Sequence, residues 1–117
     1  MVFSIAVANT DDHLRNHGFL LTDSGWRLSP AYDINPNPQG RGLALNITES
    51  DNALDLALAE EVAPLFRIDA AAAGTIIQKI RAAVSHWRAY ADRAGIGRAE
   101  QELMSLAFRI ATGDQTA

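Results

Sequence analysis

Asn9-Thr10-Asp11-Asp12-His13-Leu14-Arg15-Asn16 is a polar stretch that directly follows an apolar run, residues 1 to 8. The apolar run is too short to span a membrane and has no basic leader, so we interpret it as the end of a buried helix. Within the polar stretch, the carboxylate of Asp11 and the carboxamide of Asn16 are five residues apart, and a second carboxylate, Asp33, follows farther on. The sequence thus predicts a loop at a helix end that presents oxygen-bearing side chains.

Two short apolar runs separate this loop from Asp33 and predict a β-hairpin. Residues 18 to 22 and 26 to 29 flank Asp23-Ser24-Gly25, and a glycine-containing turn between such runs is typical of antiparallel strands. A hairpin here would carry Asp33 back beside the loop that the chain had left. The next dozen residues are expected to be irregular because they are rich in proline and glycine, with a short extended run, Leu43 to Ile47, at their end.

The second half of the chain predicts helices, the first of them near residue 54. Asp51 or Asn52 is expected to cap it, and Pro64 should end or kink it near Ala63. Its apolar positions recur at helical spacing and are Leu54, Leu58 and Val62.

A longer helix is expected to begin at the cap Asp69 and to stop at Gly95 and Gly97. We interpret its apolar stripe as core packing rather than as a groove for a partner. The stripe consists of Ala73, Ile76, Ile77, Ile80, Val84, Trp87 and Ala91. A last helix over residues 98 to 111 is expected to turn Leu103, Leu106, Ala107 and Ile110 inward, and residues 113 to 117 are expected to form a frayed tail.

Composition narrows the classes of partner. The 117 residues hold apolar material for one modest core. A formal net charge of −4, with ten scattered Lys and Arg residues, offers no basic field for direct nucleic-acid or membrane binding. The sequence has no cysteine, which excludes disulfides and thiolate metal sites and is compatible with a cytoplasmic location.

The oxygen-bearing side chains suit phosphoryl transfer. That reaction needs an aimed hydroxyl nucleophile and cations on the phosphate oxygens. Asp11 is placed to accept the proton of a hydroxyl group. Asn16 and Asp33 offer the hard oxygen ligands that magnesium prefers.

The sequence says less about the roles of the other polar residues in and near this loop. His13 is expected to pack under the loop and bond to the backbone rather than to bind a metal. For Arg15, a phosphate contact and a bracing role both stay open. Asp12 is expected to be a solvated neighbour of Asp11, and His17 and His86 show no partner pattern.

The motif N-x-D-x-H-x-[KR]-N over residues 9 to 16, an apolar hairpin, and then L-S-P-A-Y-D over residues 28 to 33 resemble the HipA-type serine/threonine kinases of bacterial toxin-antitoxin systems. A long motif with this internal spacing is specific. The whole chain is similar to the helical C-terminal lobe of that family. The resemblance implies a mainly α fold with a small β-hairpin, like the C-terminal lobe of a protein kinase.

The resemblance also implies an activity and partners. By position, Asp11 would be the catalytic base, and Asn16 and Asp33 would bind magnesium with ATP. The reaction would be transfer of the γ-phosphoryl group to a serine or threonine hydroxyl on a protein. A HipB-like DNA-binding antitoxin would be the partner, a translation-related protein the target, and growth arrest or persistence the outcome.

The sequence departs from the family in one respect. A complete member has an N-terminal lobe with a phosphate-covering loop and a nucleotide-binding lysine, and these 117 residues contain no counterpart of either. We therefore expect a domain of residues 1 to 112 that is truncated at its N-terminus and is not an efficient kinase alone. Apolar surface that the lobe would cover is expected to favour homodimerisation.

Two alternatives remain. The chain could be a non-catalytic interaction module or degenerate fragment that binds an antitoxin or a separate N-terminal partner. A metal-dependent phosphoesterase built on Asp11, Asp12 and His13 is disfavoured, because the sequence lacks the further His and Asp clusters of a two-metal site.

Overall fold

The computed structural model describes residues 1–113 and begins with a short buried helix, α1, at Val2–Ala6. Ile5 is fully buried, and the chain stays buried through Ala8. The prediction of a buried helix here is therefore confirmed, whereas its being the end of a longer helix stays a prediction. The tail predicted for residues 113 to 117 lies, beyond Gly113, outside the described residues.

The predicted hairpin is present. Strand β1 spans Phe19–Thr22 and pairs antiparallel with β2, Gly25–Leu28, in a register that places Phe19 opposite Leu28 and Leu21 opposite Trp26. Gly25 has a φ of +105°, which a residue with a β-carbon rarely adopts. The four large apolar side chains of these two pairs share one face of the hairpin, and each is between 64% and 70% exposed.

The segment from 29 to 55 is irregular, as its prolines and glycines predict, but the run Leu43 to Ile47 is not a strand. Within the described residues, a single β-bridge forms just before this run, between Gly42 and Ala53, and the chain then bends. The Leu43 and Ile47 amides donate to carbonyls of residues 52 and 51, at 2.8 and 2.7 Å. The chain folds back on itself too soon to form a ladder of β-strand hydrogen bonds. The side chains of Leu43 and Ile47 are buried in the core instead.

Helix α2 covers Leu56–Val62, and its cap differs from the prediction. The Asp55 carboxylate accepts the Ala57 amide at 2.9 Å, so Asp55 is the cap rather than Asp51 or Asn52. Asn52 instead donates its side-chain amide to the Leu43 carbonyl at 2.7 Å, which ties it to the preceding loop. The helix gives way to a 3₁₀ turn at Ala63–Phe66, as Pro64 predicts.

The long predicted helix is two helices. Helix α3 spans Ala70–Ser85 behind the predicted cap Asp69, whose carboxylate accepts the Ala72 amide at 2.7 Å. Helix α4 spans Trp87–Arg93. At His86 the ring Nδ1 contacts the Ala82 carbonyl at 2.7 Å and the His86 amide bonds to the Ala83 carbonyl, one residue nearer than in an α-helix. The helix therefore breaks where the His86 ring takes the Ala82 carbonyl that the helical main-chain hydrogen bond would use.

The C-terminal segment is also divided, into α5 at Arg98–Met104, a 3₁₀ turn at Ser105–Phe108 and α6 at Arg109–Thr112. The prediction that Leu103 faces inward is wrong, because its side chain is 76% exposed, and Leu106 is 44% exposed. The buried residue of α5 is Gln101, whose amide donates to the Asp92 carboxylate at 2.7 Å and to the Ile96 carbonyl at 2.9 Å. These bonds set the rotation of α5, and Leu103, two residues on, points about 200° away.

Helix α1 lies between two apolar clusters. The first includes Ile5 with buried residues of the 43–54 loop, α2 and the C-terminal segment. The second joins Ala6 and Val7 to Val84 of α3 and Ala111 of α6. Trp87 of α4 stacks on Phe108 with ring centroids 4.3 Å apart. Because α1 is held from both sides, the polar loop that follows it starts from a rigid support.

The described residues include no helix long and apolar enough to cross a membrane.

Candidate active site

The loop after α1 presents Asp11 to solvent. Its side chain is 74% exposed, and its Oδ1 lies 2.7 Å from Nε2 of His13. His13 precedes the 3₁₀ turn Leu14–Asn16 and caps it. The sequence predicts a His13 side chain that bonds to the backbone, whereas the hydrogen bond that its ring makes is to the carboxylate two residues before it.

Asn16 and Asp33 are in direct contact. The amide nitrogen of Asn16 donates to Oδ2 of Asp33 at 2.8 Å, and the amide of Asn35 donates to Oδ1 at 2.9 Å. The hairpin thus returns Asp33 to the loop, as its length predicts. Asp33 has a φ of +54°, a left-handed conformation that aspartate tolerates better than most residues.

Main-chain contacts join the two halves of the site. The His13 amide donates to Oδ1 of Asn16 at 2.9 Å, which links the Asp11 pair to the Asp33 pair. The Tyr32 hydroxyl donates to the Arg15 carbonyl at 2.8 Å and holds the hairpin return against the loop. The main-chain carbonyl of Arg15 therefore helps to brace the loop, while the choice between a phosphate contact and bracing stays open for its exposed side chain.

Asp12 is buried, which corrects the expectation of a solvated side chain. Its residue is 8% exposed, and its carboxylate accepts the Ser4 hydroxyl at 2.6 Å and contacts Nε2 of His17 at 2.8 Å. The hydrogen-bonded cluster of Ser4, Asp12 and His17, of which Ser4 and Asp12 are buried, joins α1 to the far end of the loop. The sequence argument missed Ser4 and His17 because neither belongs to a recognisable motif, although a lone serine in an apolar helix is a signal that a polar partner lies nearby.

The segment behind Asp33 is tied to the same support. Asn9 is 2% exposed, and its Oδ1 accepts the main-chain N–H of Asn35 at 3.2 Å. The Asn37 amide donates to the Ala8 carbonyl at 3.0 Å, and its side chain donates to the Thr10 hydroxyl at 3.1 Å. Both carboxylates of the candidate site therefore stand on segments anchored to the end of α1.

Comparison with known proteins identifies the family of the chain. The sequence model of the HipA-like C-terminal domain matches residues 1–87 of the 117-residue chain. The chain belongs to this HipA-like family. The matched range contains the whole candidate site, and the mainly helical fold with one two-stranded hairpin is that of a kinase C-terminal lobe. Searches of curated proteins and of solved structures gave no match.

The candidate site has side-chain oxygens that fit magnesium. Asn16 and Asp33 lie side by side, with the amide nitrogen of Asn16 on the Asp33 carboxylate and the amide oxygen of Asn16 on the His13 N–H. Each of these oxygens that accepts one hydrogen bond has a further lone pair for a cation. Within residues 1–113, no three His, Asp or Glu side chains converge on one point. Magnesium often takes only one or two protein ligands and completes its shell with water and phosphate, so a two-ligand site suits it better than a cage.

The same geometry disfavours a phosphoesterase. Its three candidate residues would have to face one cavity, but Asp11 points to solvent while Asp12 turns inward to Ser4. Adjacent carboxylates on opposite sides of a loop cannot share a metal pair of the kind that such enzymes use.

Proposed function

We propose that this chain supplies the catalytic loop and the magnesium ligands of a HipA-family serine/threonine kinase. Asp11 is the base, and Asn16 and Asp33 hold magnesium with ATP. The observation that supports this most is the contact of Asn16 with Asp33, 2.8 Å, on the loop that also exposes Asp11. The loop after α1 and the return from the hairpin thus present a proton acceptor and two hard oxygen ligands side by side.

Each residue has a defined task in this proposal. Asp11 accepts the proton of a serine or threonine hydroxyl on a protein substrate as that oxygen attacks. Asn16 and Asp33 place the cation, which when bound neutralises charge on the phosphate oxygens. The buried residues behind the loop keep these groups at constant separation, which phosphoryl transfer needs because it depends on positioning.

ATP binding requires a second lobe in this proposal. The 117 residues contain neither a glycine-rich phosphate loop nor a lysine strand, so most of the phosphate clamp has to come from additional sequence or from another polypeptide. We expect the chain alone to bind magnesium and ATP more weakly than about 0.1 mM, roughly −5.5 kcal/mol. Isothermal titration measures this directly, and tighter binding would contradict the need for a second lobe.

We further propose the biological setting that the family implies. The domain comprises residues 1 to 112, acts in the cytoplasm, and pairs with a HipB-like DNA-binding antitoxin. Its target is a translation-related protein, and phosphorylation leads to growth arrest or persistence. The net charge of −4 supports DNA contact through the antitoxin rather than through this chain.

Labelled phosphate transfer tests the activity. The chain is expressed with and without its upstream coding sequence, and each form is incubated with magnesium, labelled ATP and cell extract. We expect transfer only by the longer form, and its loss in Asp11→Asn and Asp33→Asn. Asp23→Asn, the same change in the exposed hairpin turn, is the matched control. A longer form that labels nothing, itself included, would refute the kinase assignment.

The second candidate is a non-catalytic interaction module, and the hairpin supports it. Phe19, Leu21, Trp26 and Leu28 form an exposed apolar face, and contiguous exposed apolar side chains often mark an interaction site. Such a face suits a separate N-terminal partner, an antitoxin or a second copy of the chain. An intact Asp11-dependent transfer activity in the longer form would favour the kinase over this module.

A further inference from the structure

His13 contacts the carboxylate to which the proposed function gives the proton-accepting role. Its Nε2 lies 2.7 Å from Oδ1 of Asp11, a distance typical of a strong hydrogen bond to a carboxylate. The His13 side chain is 34% exposed and the Asp11 side chain 74%. The ring is thus held by the loop, while the carboxylate projects from it.

The loop fixes the main chain of His13. The main-chain N–H of Asn16 donates to the His13 carbonyl at 2.9 Å, and Oδ1 of Asn16 accepts the His13 main-chain N–H at 2.9 Å. An ionised carboxylate only accepts hydrogen bonds, so Nε2 of His13 must carry the proton of its contact with Asp11. The proton of the neutral ring is then on Nε2 and is donated to Asp11.

This arrangement leaves the two oxygens of Asp11 unequal. Oδ1 accepts from His13, whereas Oδ2 has no partner among the described residues. A side chain exposed to this extent would otherwise sample several rotamers, and fixing one costs conformational entropy at the moment of reaction.

We propose that His13 is a positioning residue that locks Asp11 in the conformer that presents Oδ2 to the substrate hydroxyl. The proposal rests on the assignment of Asp11 as the base. The Nε2 proton stays on His13, and the proton of the substrate hydroxyl goes to Oδ2. Because the His13 main chain also holds the amide oxygen of Asn16, one residue keeps the base and a proposed magnesium ligand in register.

Nitrogen NMR of the imidazole rings tests the pairing without any activity. We expect the neutral ring of His13 to carry its proton on Nε2, and the Nε2 resonance to shift in Asp11→Asn. His86 is the internal control, because its Nδ1 contacts the Ala82 carbonyl and must donate, which predicts the opposite tautomer. A His13 ring protonated at Nδ1, or unchanged by Asp11→Asn, would refute the pairing.

Kinetics of the longer, transfer-competent form test the positioning role. We expect His13→Ala to lower kcat roughly 10- to 100-fold with little change in KM for ATP, because a displaced base slows chemistry more than binding. His13→Gln, which retains an N–H donor, should recover part of the loss. His86→Ala should behave like the wild type, and the far-UV spectrum checks that each variant is folded.

The outcomes separate the two proposals. Loss of activity in Asp11→Asn with a wild-type kcat in His13→Ala would refute the positioning role alone. Wild-type activity in Asp11→Asn would refute the base assignment on which the positioning role rests. The nitrogen NMR experiment decides whether His13 is bonded to Asp11 in either case.

Discussion

Asp11 and Asp12 are adjacent carboxylates that face opposite sides of one loop. Asp11 projects into solvent beside His13, whereas the Asp12 side chain is 11% exposed and bonded to Ser4 and His17. Burial of a carboxylate is unfavourable unless hydrogen bonds replace the lost water. The burial of Asp12 therefore commits the loop to one orientation, and Asp11 is turned outward as a consequence.

At the residue scale we predict that Ser4→Ala destabilises the fold. It removes a 2.6 Å hydrogen bond to a buried carboxylate, and bonds to charged groups are worth about 1.5 to 3 kcal/mol. Urea unfolding monitored by tryptophan fluorescence gives the free energy of unfolding. Ser50→Ala, at an exposed loop position, is the control and should change it by less than about 0.5 kcal/mol. Equal values for the two variants would show that the buried cluster contributes no stability.

At the scale of elements, the two corrections to the helices share a cause. His86 interrupts the helical ladder through its own ring, and Gln101 sets the rotation of α5 through bonds to Asp92 and Ile96. In each case a polar side chain finds a backbone or polar partner that periodicity of apolar residues does not reveal. Apolar spacing alone therefore predicted one helix in place of α3 and α4, and the wrong inner face for α5.

The inner face of α5 provides the second prediction. Met104 is half-buried and packs against the first apolar cluster, whereas Leu103 is 76% exposed. Met104→Ala should lower the free energy of unfolding by at least about 1 kcal/mol. Leu103→Ala should change it by less than about 0.5 kcal/mol. Both changes end in alanine, so helix propensity differs little between them. A larger loss of unfolding free energy in Leu103→Ala than in Met104→Ala would show that Leu103 faces inward, as the apolar spacing predicts.

At the scale of the whole molecule, α1 connects everything that the site requires. One side of it packs on the loop and α2, the other on α3 and α6, and its end bears the buried residues beneath Asp11 and Asp33. The hairpin has no such cover, because Phe19, Leu21, Trp26 and Leu28 all remain exposed. The molecule thus combines a rigid base for the site with an apolar face available to a partner.

We predict that this hairpin face drives self-association of the isolated chain. Replacing Leu21 and Trp26 with serine should lower the weight-average mass at high concentration in sedimentation equilibrium, because it removes apolar contact area. Folding stability should change little, since both side chains are largely exposed. Leu65→Ser, at a residue 83% exposed on another element, is the matched control. If Leu65→Ser lowers the weight-average mass as much as the hairpin variant does, the hairpin face is not what drives self-association.

Local sequence patterns were sufficient to predict the buried helix at α1, the hairpin, the Asp69 cap and membership in the HipA-like family. Each depends on residue types within a short stretch, where turn chemistry, capping and motif spacing act over a few residues. The same spacing predicted that Asp33 returns to Asn16, although the roles of both remain proposals.

Only the tertiary structure decided which neighbouring carboxylate is buried, what His13 holds and how α5 is rotated. The partners that settle these points are separated along the chain, as Ser4 is from Asp12 and Gln101 from Asp92, or depend on the direction of a ring. Hydrogen bonding of buried polar groups requires the three-dimensional positions of donor and acceptor together, and no short pattern of residues encodes them.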